Sequence, residues 1–524
     1  MKKKFSFKTS YGIIGEGLLI LFIILFFQGL LYVPINIHSF GFVFELFIIL
    51  MSLILFVSIY RELKGKSLSL TQELKPIIAL IVVFIIALFI GSPYLGGLNN
   101  YKHQSKIEEK DFSMIPEFNV SQVQLVDKNT AQQLGDRVFG SLGSDEVSQY
   151  TIGEDWTQIA YQGLLYRVTP IDFGGLFKYF ITQKTPGFIM VNCETGDAKL
   201  VRNEGMKYLK SAYFFKNIQR RAYFINPFAL LGEAKFELDD NQKPYWIVPE
   251  YKTTWVSKTR DVKGIYVIDA VDGTHTYYSK DEAPSWVDNI YPVSVIYQQF
   301  SQSKQYENGL FNWSKKGIVE FTDDYAYVLF DNNVHIYTGV TSVGKDESNV
   351  GFAYINLRSG DISYIRKAGA EEYSARSSAE GAVQQYHYTA IFPSMVNVKN
   401  HPTYFMGLVD SANLIKSFAF VNYENYQIVA TGSSVDEAYK NYVSILNKNN
   451  PIDNTDEVIN KEFVVSGINT IVKDGNTILL FKDDNNNIYW YDMSDGDFKA
   501  TFIELGSRIN VSCDNSGRII EILN

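Results

Sequence analysis

Three apolar runs of about 20 residues each occupy positions 12–32, 40–60 and 77–95, and some four hundred mostly polar residues follow. A helix rising ~1.5 Å per residue crosses a ~30 Å hydrocarbon core with runs of this length, so three membrane spans are expected. Lys2, Lys3, Lys4 and Lys8 precede the first run, and Arg61, Lys64, Lys66 and Lys75 separate the second from the third. The 34–39 connection has no Lys or Arg. The positive-inside rule then places the N-terminus in the cytoplasm, and an odd number of spans places the body outside it. No small-x-small site follows the first run, so it reads as a retained helix rather than a signal peptide. Glu16, Gln28 and Glu45 are the polar residues worth naming within these runs.

Beyond residue 117 one pattern recurs four times: a helical stretch, then strand-like runs closing in a hairpin. The hairpins alternate with period two, as GIYVIDAVDGTHTYYS does over 264–279. Thr195-Gly196, Asp272-Gly273 and Ser359-Gly360 supply turn residues suited to positive φ. The expected organisation is a membrane anchor (1–97), a polar tether (98–117) and four helix-plus-antiparallel-sheet units (118–206, 207–284, 285–368, 369–446). A linker (447–461) and a small β-barrel of OB-like or SH3-like type (462–524) complete it. The expected class is thus membrane-anchored α+β.

IYVIDAVDGTHTYY and FIMVNCETGDAKLV resemble the terminal hairpin of the PepSY module of exported and membrane-anchored bacterial proteins. FAYINLRSGDISYI is a weaker match, and FAFVNYENYQIVATG replaces the Thr/Ser-Gly turn by Glu-Asn. Residues 129–443 also resemble large bacterial multi-span membrane proteins through PYWIVPEY, APSWVDNIYP, YTGVTSVGKDESNVGF, SARSSAEGAVQ and PTYFMGLVDSANLIK. The resemblance implies tandem modules and, by analogy with modules that restrain exported partners, a regulatory or assembly role.

Signs of catalysis are few. The six histidines are scattered and form no HExxH or His/Cys cluster. Residues 339–344 read GxxSxG rather than GxSxG, with no partner placed to activate Ser342. No nucleotide-binding loop is present, and no cofactor is expected. A net charge of −9 argues against nucleic acid. Cys193 and Cys513 are too isolated in sequence to define a disulfide framework. Asp483 and its neighbours through Asn487 offer oxygen ligands but read as a hairpin tip.

The longest break inside a unit is 338–351, and a helix at 371–384 follows it. If the two meet, Asp346, Glu347, Ser348, Asn349, Arg376 and Glu380 form one polar partner-binding site. The expected role is a non-catalytic, membrane-anchored scaffold of the bacterial envelope. It would contact the bilayer and a protein or polymer partner, with homo-oligomerisation left open. An enzyme acting on cell-wall material through paired carboxyls is the alternative. An oligomeric channel, which needs Glu16 or Glu45 to face a protein interior, is the third reading.

Overall fold

The computed structural model describes residues 17, 34–63, 70–90, 107–254, 257–306, 315, 317–343, 348–449, 459–473, 476–493, 498–513 and 517–523. The first apolar run apart from Gly17, the first part of the tether (98–106), Asp346 and Glu347, and most of the 447–461 linker lie outside them. Contacts divide the chain into two compact units, Met1–Val443 and Ser444–Asn524.

The expected three-span anchor is corrected. The second and third runs form helices α1 (Phe40–Leu63) and α2 (Leu70–Ile90), which meet through Phe47 and Phe84, their ring centroids 4.4 Å apart. Yet no helix among the described residues is long and apolar enough to cross a membrane. Glu45 interrupts α1, and the first turns of α2 carry Gln72, Glu73 and Lys75. Within the described residues, the uncharged stretch of each helix is about 15 residues, or ~22 Å, short of a ~30 Å core. Strand outweighs helix, 40% against 29%, so the chain is mostly β rather than an anchored α+β protein.

The tether expectation also changes. Strand β1 (Ile107–Glu109) joins the third sheet, parallel to the strand at Ile362–Ile365. Phe118 then packs between Phe405 and Phe420, 5.1 and 5.2 Å away.

The first helix-plus-sheet group has α3 (Lys128–Phe139), α4 (Ser144–Val147), β2 (Tyr150–Ile152), β3 (Thr157–Tyr161), β4 (Leu164–Phe173), α5 (Leu176–Thr182), β5 (Thr185–Asn192) and β6 (Ala198–Met206). The Asp127 carboxylate caps α3 by accepting the Thr130 N–H at 2.8 Å. The sheet runs β2-β4-β5-β6, with β3 on β4. The second group has α6 (Ile218–Ile225), β7 (Leu230–Leu231), β8 (Lys235–Leu238), β9 (Pro244–Thr254), β10 (Ser257–Asp269) and β11 (His275–Ser279). A helix over 207–224 is the pattern's prediction, but only the last part is α-helical. Asn217 is the cap, its side chain accepting the Arg220 N–H at 3.0 Å, so the helix starts there.

The third group begins with α7 (Val293–Tyr306), followed by β12 (Val319–Phe321), β13 (Ala326–Phe330), β14 (Asn333–Ser342), β15 (Ser348–Asn356), β16 (Ile362–Ile365) and β17 (Gly369–Ala370). The pattern predicts a helix over 286–303, but it starts after Pro292, because a residue before proline is pushed out of the α region. The fourth has α8 (Glu372–Ala382), β18 (Thr389–Ala390), β19 (Ser394–Val398), β20 (His401–Val409), β21 (Ile415–Asn422), β22 (Val429–Gly432) and α9 (Val435–Asn449).

The first group closes a core of its own around Ala131, Trp156, Ile171 and Ile189, but the groups also share cores. Val168 and Phe188 of the first sheet pack in one cluster with Phe236, Trp246 and Ile268 of the second. Phe352 of β15 lies edge-on to Tyr423 after β21, 5.3 Å between centroids.

The recurrent hairpin has a physical cause. Each closing strand ends in an Asx residue whose side chain accepts the N–H groups two and three residues on. Asn192 takes Glu194 and Thr195, and Asp269 takes Val271 and Asp272. Asn356 takes Arg358 and Ser359, and Asn422 takes Glu424 and Asn425. In the first three the following glycine sits at φ near +75° to +78°, which favours residues without a Cβ. The fourth keeps the side-chain cap without the glycine. Asn192→Ala is expected to cost about 1–2 kcal/mol in chemical denaturation, and Asn192→Asp far less.

The C-terminal unit corrects the closed-barrel expectation. It holds two three-stranded sheets. One comprises β23 (Ile459–Val464), β27 (Arg508–Cys513) and β28 (Ile519–Ile522). The other comprises β24 (Gly467–Lys473), β25 (Asn476–Lys482) and β26 (Ile488–Asp492). The chain changes sheet at 465–466: Val465 N–H donates to Ser507 O, and Ser466 N–H to Lys482 O. A single isolated bridge, Trp490 to Arg518, joins them among the described residues. The Asp483 region is a hairpin turn, its carboxylate accepting the Asn485 and Asn487 N–H groups at 2.8 Å.

Candidate functional site

A cleft of about 450 Å³ opens where α8 meets the third sheet. Its walls are Glu320, Asp323 and Asp324 around the β12–β13 turn, Thr341 at the end of β14, and Glu371, Glu372, Tyr373 and Arg376 at the start of α8. Among the described residues, the carboxyl groups of Glu320, Asp323, Asp324 and Glu371 therefore line it beside one guanidinium, which gives the cleft an acidic field.

The floor is a buried polar network. Glu372 is 4% exposed; its Oε1 accepts the Tyr337 hydroxyl at 2.8 Å and its Oε2 accepts Asn349 Nδ2 at 3.3 Å. Asn349 Nδ2 also reaches the Tyr404 hydroxyl at 3.3 Å, and that hydroxyl donates to Ala370 O at 2.7 Å. Burial pushes the Glu372 carboxyl up and the Tyr337 and Tyr404 hydroxyls well above the ordinary tyrosine range. Asn349 Oδ1 is buried with no hydrogen-bond partner among the described residues. Gly339 on β14 makes the approach possible. A Cβ there would collide with Glu372 Oε1 and lie 2.6 Å from Asn349 Nδ2.

Of the residues expected to form a site, Asn349 joins the floor and Arg376 the wall. Arg376 is partly committed, because its Nε donates to Ala390 O at 3.0 Å. Glu380 accepts the Ala390 N–H at 2.9 Å, so the two side chains hold both backbone groups of one residue in β18. Glu380 does not line the cleft. Ser348 begins β15, with its backbone paired to Ala370. Asp346 and Glu347 lie outside the described residues.

Sequence reasoning missed Glu320, Asp323, Asp324, Glu371 and Glu372. The signal was present as two acidic doublets beside aromatic residues, Asp323-Asp324-Tyr325 and Glu371-Glu372-Tyr373. Nothing in the spacing says that the two doublets share a cleft. Among the described residues, no group of three or more His, Cys, Asp or Glu is arranged to hold a metal ion. Cys193 and Cys513 are both free and buried. No protein-family model and no curated protein matches the chain.

Proposed function

We propose that this chain is a non-catalytic binding protein of the bacterial cell envelope, acting outside the cytoplasm. Its acidic cleft takes a cationic segment of a protein or polymer partner. The observation that carries the reading is the acidic wall set over a floor whose polar groups are fixed by burial. A preformed concave site of this kind favours recognition of lysine or arginine side chains. The PepSY-like hairpins support a role in restraining or assembling an exported partner, by analogy alone.

Titrating the full chain with an oligolysine peptide tests this. Saturable one-to-one binding is expected, weakening as salt rises. The double substitution Asp323→Lys/Asp324→Lys should weaken it by at least about tenfold. Equal affinity in that variant, or no binding by the parent chain, would overturn the proposal.

The enzyme reading draws on one observation, the upward-shifted Glu372 carboxyl beside other carboxyls. Both Glu372 oxygens are already engaged by Tyr337 and Asn349, which places the group beneath the cleft rather than against a substrate. Turnover of purified cell-wall fragments that disappears in Glu372→Gln would favour the enzyme instead.

A further inference from the structure

The Met1–Val443 unit carries a second surface that the cleft does not use. Helix α5 exposes Phe177 (82%) and Ile181 (76%), and the turn before α6 exposes Phe215 (71%). Phe180 of α5 lies 6.1 Å from Phe214, and the next residue, Phe215, lies 5.5 Å from Phe224 of α6, so two exposed ring pairs meet at neighbouring residues. Phe228 is exposed as well. Single exposed apolar residues need no explanation, but a contiguous aromatic face of this size marks an interaction surface.

Two further observations say what covers it. The stretches that build the face, 174–184 and 207–228, contain seven Lys or Arg and no Asp or Glu, in a chain of net charge −9; Lys210 is paired with Asp155 and Glu233 at 2.6 Å, and six cationic side chains remain. The face is also continuous with α1. Ile35 N–H donates to Pro227 O at 2.9 Å, and Asn36 Nδ2 donates to Phe228 O at 3.0 Å. Burial pushes the Tyr223 hydroxyl of α6 up, and the Glu45 charge of α1 adds to it. The described faces of α1 and α2 expose Phe40, Ile78 and Val83 in turn.

From these we infer that residues 176–181 and 213–228 form a docking face for an anionic lipid surface. Lying on such a surface asks less than crossing it: aromatic side chains enter the boundary between headgroups and acyl chains to a depth of ~5–10 Å, and flanking cations meet the headgroups. A second copy of the chain would bring the same basic stretches face to face, at an electrostatic cost.

The test uses the full chain with Ile181→Cys carrying an environment-sensitive dye; labelling is selective because Cys193 and Cys513 are buried. A second sample carries the dye at Ala412→Cys, on the exposed turn between β20 and β21. With vesicles of phosphatidylglycerol and phosphatidylcholine, the dye at 181 should brighten several-fold, shift to the blue and be quenched by nitroxide-bearing lipid. The dye at 412 should not change. Phe177→Ser/Phe215→Ser should weaken vesicle partitioning by at least about tenfold, with an unchanged thermal midpoint. Continued quenching at 181 by aqueous iodide in the presence of vesicles would overturn the inference. So would a lipid-independent signal that grows with protein concentration, which would assign the face to a second copy.

Discussion

Glu237→Ala is expected to lower the stability of the Met1–Val443 unit by about 3–5 kcal/mol, read from denaturant unfolding of the full chain. The carboxyl is fully buried and accepts three donors: Asp288 N–H, Asn289 N–H and Asn289 Nδ2, each at 2.9 Å. Asp288 in turn accepts the Ala160 N–H of β3 at 2.6 Å, and Asn289 Nδ2 donates to Gln158 O at 2.9 Å. Truncation leaves these donors stranded where water cannot reach them. The segment 283–291 that carries them is irregular backbone held by Arg358, whose guanidinium donates to the carbonyls of Ala283, Pro284 and Val287. One carboxyl therefore ties the first two groups to the strap before α7.

The same pair predicts a pH dependence. Burial holds the Glu237 carboxyl up to about 7, and burial with the Glu237 charge raises Asp288 well above the usual range. A raised carboxyl keeps a proton in the folded state that the unfolded chain releases. Its stabilisation is complete below the ordinary carboxyl range and is lost as pH rises through about 7. Asp172, raised to about 6 by burial, acts in the same direction. The thermal midpoint should fall between pH 5 and pH 8, and Glu237→Gln should flatten that fall. A midpoint that rises across this window would contradict the assignment.

Trp246→Ala is expected to cost about 3–5 kcal/mol. The ring is 1% exposed, lies 5.3 Å from the Phe236 ring, and donates its Nε1–H to Tyr208 O at 2.8 Å. Because Trp246 shares its cluster with Val168 and Phe188, the loss should destabilise the first and second groups together. Hydrogen exchange under mild denaturant should show both sheets opening in one step. Separate opening of β4–β5 and β8–β9 would show that the groups are independent beads.

The local pattern was readable where one residue type decides the geometry. Alternation located the hairpins, and Asx residues with glycine marked their turns; the structure adds that the Asx side chain itself closes each turn. Helix starts were less legible, because Pro292 and the Asn217 cap override an apolar periodicity that runs on past them. The three-span anchor is not supported, because no helix among the described residues is long and apolar enough to cross a membrane, and Glu45 sits inside the second run. The shared cores could not be read at all, since alternation reports which face of a strand is buried and not against what. For the same reason Arg376 and Asn349 were found, while the acidic partners across the cleft were not.

Hydrogen–deuterium exchange of the full chain, with and without saturating oligolysine peptide, tests the central reading most directly. Added protection should concentrate at 322–324 and 370–376, the acidic turn and the acidic start of α8 that line the cleft. Protection confined to other surfaces, or none at all under saturating peptide, would contradict a cation-binding cleft.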